Sequence, residues 1–381
     1  MTVRTAFLVL ASALATACRP TNSPADSMPG ENPATSDPGD GSRVDPIADP
    51  AADVQPADTS PDTEPGAPEI DVAPDVPCAG GSAPPCGACT SGTACVWGTG
   101  QCEPEVVPPC GDCPTGTVCV WGTGNCESQM VEVPGGPFMM GWNNPSCGPY
   151  CPFPEALPYH QVDVPTFRID RIEVRVVDYI ECMQCGPCTV PDLGDSDRFN
   201  WKIAAAAYDP ADGINWNKAA TYCGWRGKRL CTEAEWEKGA RGTDGREYPW
   251  GSAQPTCDLG VMYGPGTCVG SWTPDCNSGC GDGRLTMPCG SKPAGASPYG
   301  ALDMSGNASE WVEDVYHPSY DGAPVDGSAW VEPPNGAGPE ERAHRSGAGD
   351  PSFMQVWLRG HAEPGLSYTQ YGIRCCKSGG E

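Results

Sequence analysis

The sequence predicts a mixed domain of short strands, short helices and long loops that is stapled by disulfides and preceded by a long N-terminal tether. Strand-like and helix-like hydrophobic patterns run from about residue 131 to 377. The 381-residue chain contains 24 cysteines, which, together with an export signal, indicate an oxidising compartment and a disulfide framework. Its 49 glycines and 44 prolines are far above average usage, and the prolines are enriched in the first third, where little core can form.

The first 17 residues have the layout of a secretory signal peptide. An apolar run, Ala6 to Leu14, precedes small residues and then Cys18, and the run is too short to span a membrane stably. Leu14 to Cys18 resembles a bacterial lipobox, in which Cys18 would receive a lipid, whereas Ala15 to Ala17 also fits an ordinary cleavage site. We expect export with a lipid anchor at Cys18, which places the protein in the outer membrane or at the cell surface, and otherwise in the periplasm or medium.

Residues 18–77 are predicted to be a disordered acidic tether rich in Pro, Ala and Asp. Such a composition cannot bury enough apolar area to offset an ordering entropy of about 1–2 kcal/mol per residue. The stretch 19–77 holds 13 acidic residues and two arginines, so it carries 11 of the 27 net negative charges. The charge therefore indicates a solvated tail, and the lack of a basic patch in the sequence argues against nucleic acid as a partner.

Residues 78–128 contain two copies of one cysteine-rich unit. The copies have identical cysteine spacing and a period of 24 residues, which predicts a real module. The cysteines are Cys86, Cys89, Cys95 and Cys102 in the first copy and Cys110, Cys113, Cys119 and Cys126 in the second. Four thiolates can hold zinc, but an exported chain enters an oxidising compartment, which favours disulfides. Units this small also cannot fold by burial alone, so covalent cross-links are expected. We interpret the units as spacing or adhesion modules, with Cys78 outside both.

The segment from about residue 131 to 377 predicts one domain. Strand signals occur at Val131–Val133, Phe138–Gly141 and His160–Ile172, and helix signals at about Val176–Met183 and at Asn217–Trp225, with Asn217 as the N-cap. After Gly251 the chain becomes irregular up to Gly300, and a turn leading into a strand is expected near Asp303 to Asp314. Loops dominate this half, so disulfides and bound ions are expected to contribute to its stability.

The sequence also predicts a short helix that begins near Thr232. Thr232 and Glu235 are three residues apart, the spacing of a capping box, and glycines from Gly239 to Gly242 weaken the end of the helix. Apolar and charged residues alternate along it, which predicts one apolar and one charged face. These residues are Ala234, Trp236 and Ala240 on the apolar face and Glu233, Glu237 and Lys238 on the charged face.

Six motifs in order resemble the sulfatase-modifying factor, or formylglycine-generating enzyme, family over roughly residues 131–377. They are Val133–Gly141 (VPGGPFMMG), Phe167–Val174 (FRIDRIEV), Ile214–Trp236, Tyr248–Gly251 (YPWG), Asp303–Trp311 (DMSGNASEW) and Gly372–Cys375 (GIRC). The resemblance implies an α+β fold of the C-type-lectin-like kind and a Cys223–Cys375 bridge. It also implies bound calcium and, in catalytic members, two copper-binding cysteines that convert a sulfatase cysteine to formylglycine.

The resemblance places the catalytic cysteines in the segment that here runs from Arg345 to Ala362, and this segment contains no cysteine. Copper(I) needs soft thiolates, and Met354 with His361 would be a poor substitute pair; Met354 is interpreted as a core residue. Ser309 replaces the tryptophan usual in its motif, a second departure. The four histidines lack the spacing of iron-binding relatives and are interpreted as surface residues.

Calcium is the cofactor that the resemblance supports better. Two carboxylates and two backbone carbonyls match the family's calcium loop, and such hard oxygen donors suit the ion. These residues are Asp303, Gly306, Ala308 and Glu310, and a second site is proposed at Asp258, Leu259 and Asp282. The alternative is a turn with solvated acidic residues.

We therefore expect a cell-surface lipoprotein whose domain is a non-catalytic binding or structural module with a protein or glycan ligand. The alternative is a formylglycine-generating oxidase with a non-standard site, and copper is expected only in that case.

Overall fold

The computed structural model describes residues 84–143, 153–193, 199–262, 280, 285–334, 340–346 and 353–380. The description below concerns the unit from Val72 to Glu381. The predicted signal peptide, the tether, Cys18, Cys78 and Asp282 lie outside the described residues.

The regular elements are short. The strands are β1 (Thr93–Val96), β2 (Gln101–Pro104), β3 (Thr117–Val120), β4 (Asn125–Ser128), β5 (Met130–Val133), β6 (Gly136–Met140), β7 (His160–Val164), β8 (Phe167–Asp170), β9 (Arg229–Leu230), β10 (Ser309–Val315), β11 (Arg342–Arg345), β12 (Gly360–Ala362), β13 (Tyr371–Gly372) and β14 (Cys375–Ser378). The helices are α1 (Val176–Cys185), α2 (Trp216–Trp225) and α3 (Glu233–Arg241), with 3-10 turns at Pro154–Ala156, Asn200–Lys202, Ala204–Ala206 and Pro293–Gly295.

The two cysteine-rich units are hairpins, β1–β2 and β3–β4, with the same pair of disulfides in each. The bridges are Cys86–Cys95 and Cys89–Cys102 in the first, and Cys110–Cys119 and Cys113–Cys126 in the second. All eight cysteines are thus bonded to one another, as the disulfide interpretation predicts, and their thiolates are not available to zinc.

Both hairpins pack against the domain, which corrects their interpretation as spacers. The amide of Gly98 donates to the carbonyl of Trp201 at 2.7 Å, and the equivalent amide of Gly122 donates to the carbonyl of Gly290 at 2.8 Å. Val118 and Val120 of the second hairpin share a buried cluster with Ile172, Cys289 and Leu302. The hairpins are therefore part of the globular body, because their apolar side chains complete its core.

Two four-stranded sheets form the centre of the domain. One has the order β5-β8-β14-β9, and the other has the order β12-β11-β10-β13, with β6 and β7 forming a separate hairpin. One buried cluster joins β5 to β8 with α3 and β10 and includes Phe138, Ile169 and Trp236. A second joins α1 and α2 to the same strand and includes Trp201 and Trp311. Strand β10 is thus buried on both sides, as expected for an α+β fold.

Three predicted boundaries differ from the structure. Helix α2 is capped by Asn215, whose side chain accepts from Lys218 N at 3.0 Å, so the N-cap prediction at Asn217 is wrong by two residues. The predicted strand His160–Ile172 is two strands, and Pro165, which lacks a backbone N–H, lies in the break between them. Helix α1 continues two residues beyond Met183, to Cys185.

Helix α3 has the predicted capping box at Thr232 and Glu235. All of its residues are buried, however, including Glu233, Glu237 and Lys238. The charged residues of α3 therefore do not form a solvated face, although the sequence pattern separates them from the apolar residues. None of the helices in the described ranges is long and apolar enough to cross a membrane.

Candidate functional site

The charged side of α3 faces the segment that lacks the copper cysteines. Glu233 accepts from Arg345 Nη1 at 2.9 Å and from Arg359 Nε and Nη2 at 2.7 and 2.8 Å. Glu237 accepts from Arg345 Nη2 at 2.6 Å and from Arg241 Nη1 at 2.6 Å. We call these five side chains the arginine–glutamate network. Because every member is buried, the network fixes both ends of the segment to the helix.

Electrostatics in the network keep the carboxylate of Glu233 charged. Burial opposes the charge of Glu233, but the adjacent Arg359 and Arg345 outweigh it and lower the pKa of Glu233 to about 2. Asp314 lies beside Glu233, accepting from its backbone amide at 2.7 Å. Burial and then the charge of Glu233 raise the pKa of Asp314 to about 7.

The backbone around this segment is unusual at three positions. Within the described ranges, the non-glycine residues with positive φ are Asp303 (56°), Asn307 (60°) and Ser346 (63°). Such conformations are uncommon for residues with a Cβ and cluster at functional sites. Ser346 Oγ donates to the Gly306 carbonyl at 3.0 Å, which joins the two strained loops. The strain therefore marks this junction as the candidate site.

Ser309, which stands where the family motif usually has tryptophan, is buried at the same junction. Its Oγ donates to the carbonyl of Ser346 at 3.0 Å, and Ser305 Oγ donates to the carbonyl of Met354 at 2.7 Å. The serines therefore tie the 303–310 loop to the cysteine-free segment by hydrogen bonds.

The proposed calcium loop fits the ion only in part. Asp303 Oδ2 accepts from Gly290 N at 2.6 Å, while its buried Oδ1 has no hydrogen-bond partner, so Asp303 fits as a ligand. Glu310 does not, because Arg374 Nη2 donates to its Oε1 at 2.7 Å and Trp236 Nε1 donates to its Oε2 at 2.5 Å. Both carboxylate oxygens of Glu310 are therefore already engaged.

The other members of the predicted calcium sites contribute backbone groups or lie on the surface. Gly306 and Ala308 are buried in the loop, and the Ala308 amide donates to Glu173 Oε1 at 3.0 Å. Asp258 is exposed and Leu259 half-buried, while Asp282 lies outside the described residues. The second calcium site therefore stays a prediction, because one of its three members lies outside the described residues.

A buried acidic cluster that the sequence reading missed lies beside Asp303. Glu173 accepts from Asn307 Nδ2 at 2.8 Å, and burial, followed by the charges of Asp303 and Glu310, raises its pKa well above the usual range. Among the described cysteines, Cys289 alone is unbonded, and it is buried next to this cluster. Burial and the neighbouring Glu173 raise the pKa of the Cys289 thiol, so it does not offer a thiolate at neutral pH.

Met354 and His361 do not come together as a substitute metal pair. Met354 is buried against Tyr248 and Met262, as expected for a core residue. His361 is exposed, with its Nδ1 at 2.9 Å from Glu341 Oε2.

The expectation that all four histidines lie on the surface is wrong. His317 is buried and stacks on Trp330, with the two ring centroids 3.4 Å apart. His344 is enclosed by its neighbours, and burial lowers its pKa to about 3. Both side chains are framework residues because aromatic rings pack against them.

A groove of about 190 Å³ lies over the cysteine-free segment. It is lined by His344, Arg345, Phe353, Leu358, Arg359 and Gly360. Phe353 is 51% exposed, whereas the two arginines are held underneath by the network. A Cβ at position 360 would lie 2.1 Å from His344 Cε1, so glycine is needed for the close contact of β11 with β12. The groove combines apolar walls with a neutral imidazole.

Two C-terminal cysteines form disulfides that cross-link the elements around the site. Cys375 bonds to Cys223 at the end of α2, and Cys376 bonds to Cys231 ahead of α3. The first of these is the bridge that the family resemblance implies. Together they hold β14 to both helices.

A family model, the sulfatase-modifying factor enzyme 1-like domain, matches residues 123–378, and the chain belongs to this family. The match begins inside the second hairpin, consistent with the packing of that hairpin into the core.

Individual relatives differ in what their names say about activity. The chain is 32% identical to a hercynine oxygenase of Mycolicibacterium smegmatis over 49% of this chain and 46% of that protein. It is 30% identical to the inactive C-alpha-formylglycine-generating enzyme 2 of Mus musculus over 45% of this chain and 50% of that protein. It thus spans about half the length of these curated relatives. Among solved structures, PvdO from Pseudomonas aeruginosa matches with a TM-score of 0.52 and 27% identity over 65% of this chain and 94% of PvdO.

Proposed function

We propose that this protein is a non-oxidase member of the family, a binding or structural module presented at the cell surface by a lipid on Cys18. The observation that carries the proposal is that the segment from Arg345 to Ala362 contains no cysteine. Copper(I) chemistry depends on soft thiolate ligands, and family membership alone does not transmit an activity.

The side chains around this segment support the non-oxidase proposal. Cys289 is buried with a raised pKa, and Met354 and His361 occupy separate places, so no described side chains replace the missing thiolates. The groove with Phe353 and His344 is then a surface for binding a protein or glycan ligand, since its walls are apolar and its floor is rigid. Calcium at Asp303 remains part of this proposal, supported by the unpartnered Oδ1.

A peptide oxidation assay tests the proposal. The full chain, loaded with copper under reducing conditions and then exposed to oxygen, is incubated with a peptide that contains the sulfatase motif Cys-x-Pro-x-Arg. We expect no cysteine mass change consistent with formylglycine, while an active family enzyme assayed in parallel converts the peptide.

The alternative function, an oxidase with a non-standard site, predicts conversion by this chain. A Cys289→Ser variant assayed beside the wild type shows whether such conversion depends on Cys289 or on another ligand set. Conversion that disappears in the variant would assign the chemistry to Cys289, and conversion that persists would assign it to another ligand set; either result would overturn the non-oxidase proposal. Metal analysis of the purified chain then identifies the ion.

A further inference from the structure

The first hairpin and the domain enclose a cleft away from the cysteine-free segment. The hairpin is fixed by Gly98, where a Cβ would lie 2.7 Å from the Trp201 carbonyl oxygen and 2.5 Å from Lys202 Cγ. Only a residue without a Cβ allows this approach. The cleft therefore results from the close packing of the hairpin against the domain.

Apolar side chains form the walls of this cleft, whose volume is about 110 Å³. The lining includes Trp97 and Val106 from the hairpin side, Val177 and Ile180 from α1, and Trp201 and Ala204 from the 3-10 turns. Pockets for drug-sized molecules are about 300–1,000 Å³, and a cavity of about 150 Å³ holds benzene. The cleft is smaller than the benzene-sized cavity, so its volume suits one aliphatic side chain rather than an aromatic ring or a larger ligand.

Acidic groups lie at the edge of the cleft. Glu103 and Glu105 are among its lining residues. Burial raises the pKa of Tyr208, another lining residue; Arg175 opposes this, and Glu105, Asp178 and Asp112 add to it.

The nearby cations offset only part of this charge. Arg175 is paired with Asp178 at 2.7 Å, and Lys202 packs against Gly98 next to the lining residue Trp201. The tether, residues 19–77, holds 11 of the 27 net negative charges, so the rest of the chain is also net negative, which favours cationic partners at long range.

We propose that this cleft is a docking site for a basic peptide segment that presents one aliphatic side chain next to lysine or arginine. The side chain would be buried against Trp97 and Trp201, and the flanking cation would face Glu103 and Glu105. Charge complementarity and the size of the cleft select this partner over an acidic peptide, which the rim would repel. The proposal is independent of whether the domain has oxidase activity.

Calorimetric titration of the full chain with short capped peptides tests the proposal. The probes are Gly-Lys-Leu-Lys-Gly, its alanine counterpart Gly-Lys-Ala-Lys-Gly, and the acidic counterpart Gly-Glu-Leu-Glu-Gly. We expect saturable binding of the first at low salt, about tenfold weaker binding of the alanine peptide, and none of the acidic one. Binding of the first should weaken as salt is added.

Two neighbouring alanines provide matched variants. Ala204→Leu fills the cleft and should weaken the leucine peptide at least tenfold, whereas Ala205→Leu, an exposed position in the same turn, should leave binding unchanged. Glu105→Gln provides a second test that does not depend on packing and should weaken binding several-fold. Equal binding to the Ala204→Leu and wild-type chains, equal binding of the acidic peptide, or no saturable binding would each overturn the proposal.

Discussion

Replacing Glu233 with glutamine should destabilise the protein strongly, because Glu233 is the anion that holds both arginines of the cysteine-free segment. Three charged hydrogen bonds reach it, from Arg345 at 2.9 Å and from Arg359 at 2.7 and 2.8 Å. The glutamine would leave Arg359 buried without its anion. Breaking a buried pair in this way costs about 3–5 kcal/mol, so we expect a loss of about 4 kcal/mol in the free energy of unfolding.

Urea denaturation with the disulfides kept oxidised measures this loss, and the melting temperature should fall by roughly 10 °C for a domain of this size. Glu132→Gln is the control, since Glu132 is exposed on β5 and its replacement should change stability by less than about 0.5 kcal/mol. A loss below about 1 kcal/mol for Glu233→Gln would refute the reasoning, because the network would then contribute no more than a surface pair.

The same variant has a pH signature. The pKa of Glu233 falls from its ordinary value of 4.5 to about 2 on folding, so its contribution to stability is fully present above about pH 5. That contribution is lost as the pH falls from about 4.5 through 2 in the wild type. In Glu233→Gln this part of the acid destabilisation should be missing, so the stability curves of the two proteins should converge in acid. Parallel curves down to pH 2 would contradict the assignment.

Three other outcomes follow from the packing. Gly122→Ala should release the second hairpin, because its Cβ would lie 2.6 Å from the Ser291 carbonyl oxygen, and faster proteolysis near the hairpin would report it. Gly360→Ala should displace His344 and deform the groove, whereas Gly365→Ala, with no atom within 4 Å of its Cβ, should not; thermal melting of the pair checks this. Calcium should raise the melting temperature through Asp303, and equal melting with calcium and with excess chelator would remove the ion from the proposal.

Local sequence signals predicted the elements whose causes are local. The capping box at Thr232 and Glu235 depends on two residues three apart, and α3 begins where that spacing indicates. The N-cap of α2 was misplaced because Asn215 and Asn217 have the same local preference, and only the extended backbone of Asn215 selects between them. The hairpin disulfides were predicted from the repeated cysteine spacing.

Long-range contacts decide what the sequence could not predict. The charges of Glu233 and Glu237 suggest a solvated face, but their partner Arg345 is 112 and 108 residues away, a separation that no helical periodicity detects. The docking of the hairpins likewise depends on Gly98 and Gly122 meeting carbonyls of distant loops. The glycine that follows tryptophan in both copies could be recognised as part of the repeat. Its role in packing could not be predicted, because the surface it contacts lies far away in the sequence.

The contacts that hold the cysteine-free segment do not depend on a thiol. The segment from Arg345 to Ala362 is held by carboxylates of α3, by serine hydrogen bonds and by the close contact of Gly360 with His344, and none of these involves a thiol. The absence of cysteine from residues 345–362 therefore leaves these contacts in place. Helix α3 also carries the strongest family motif, so that motif identifies the fold beneath the site. The side chains that face the groove determine what the site binds.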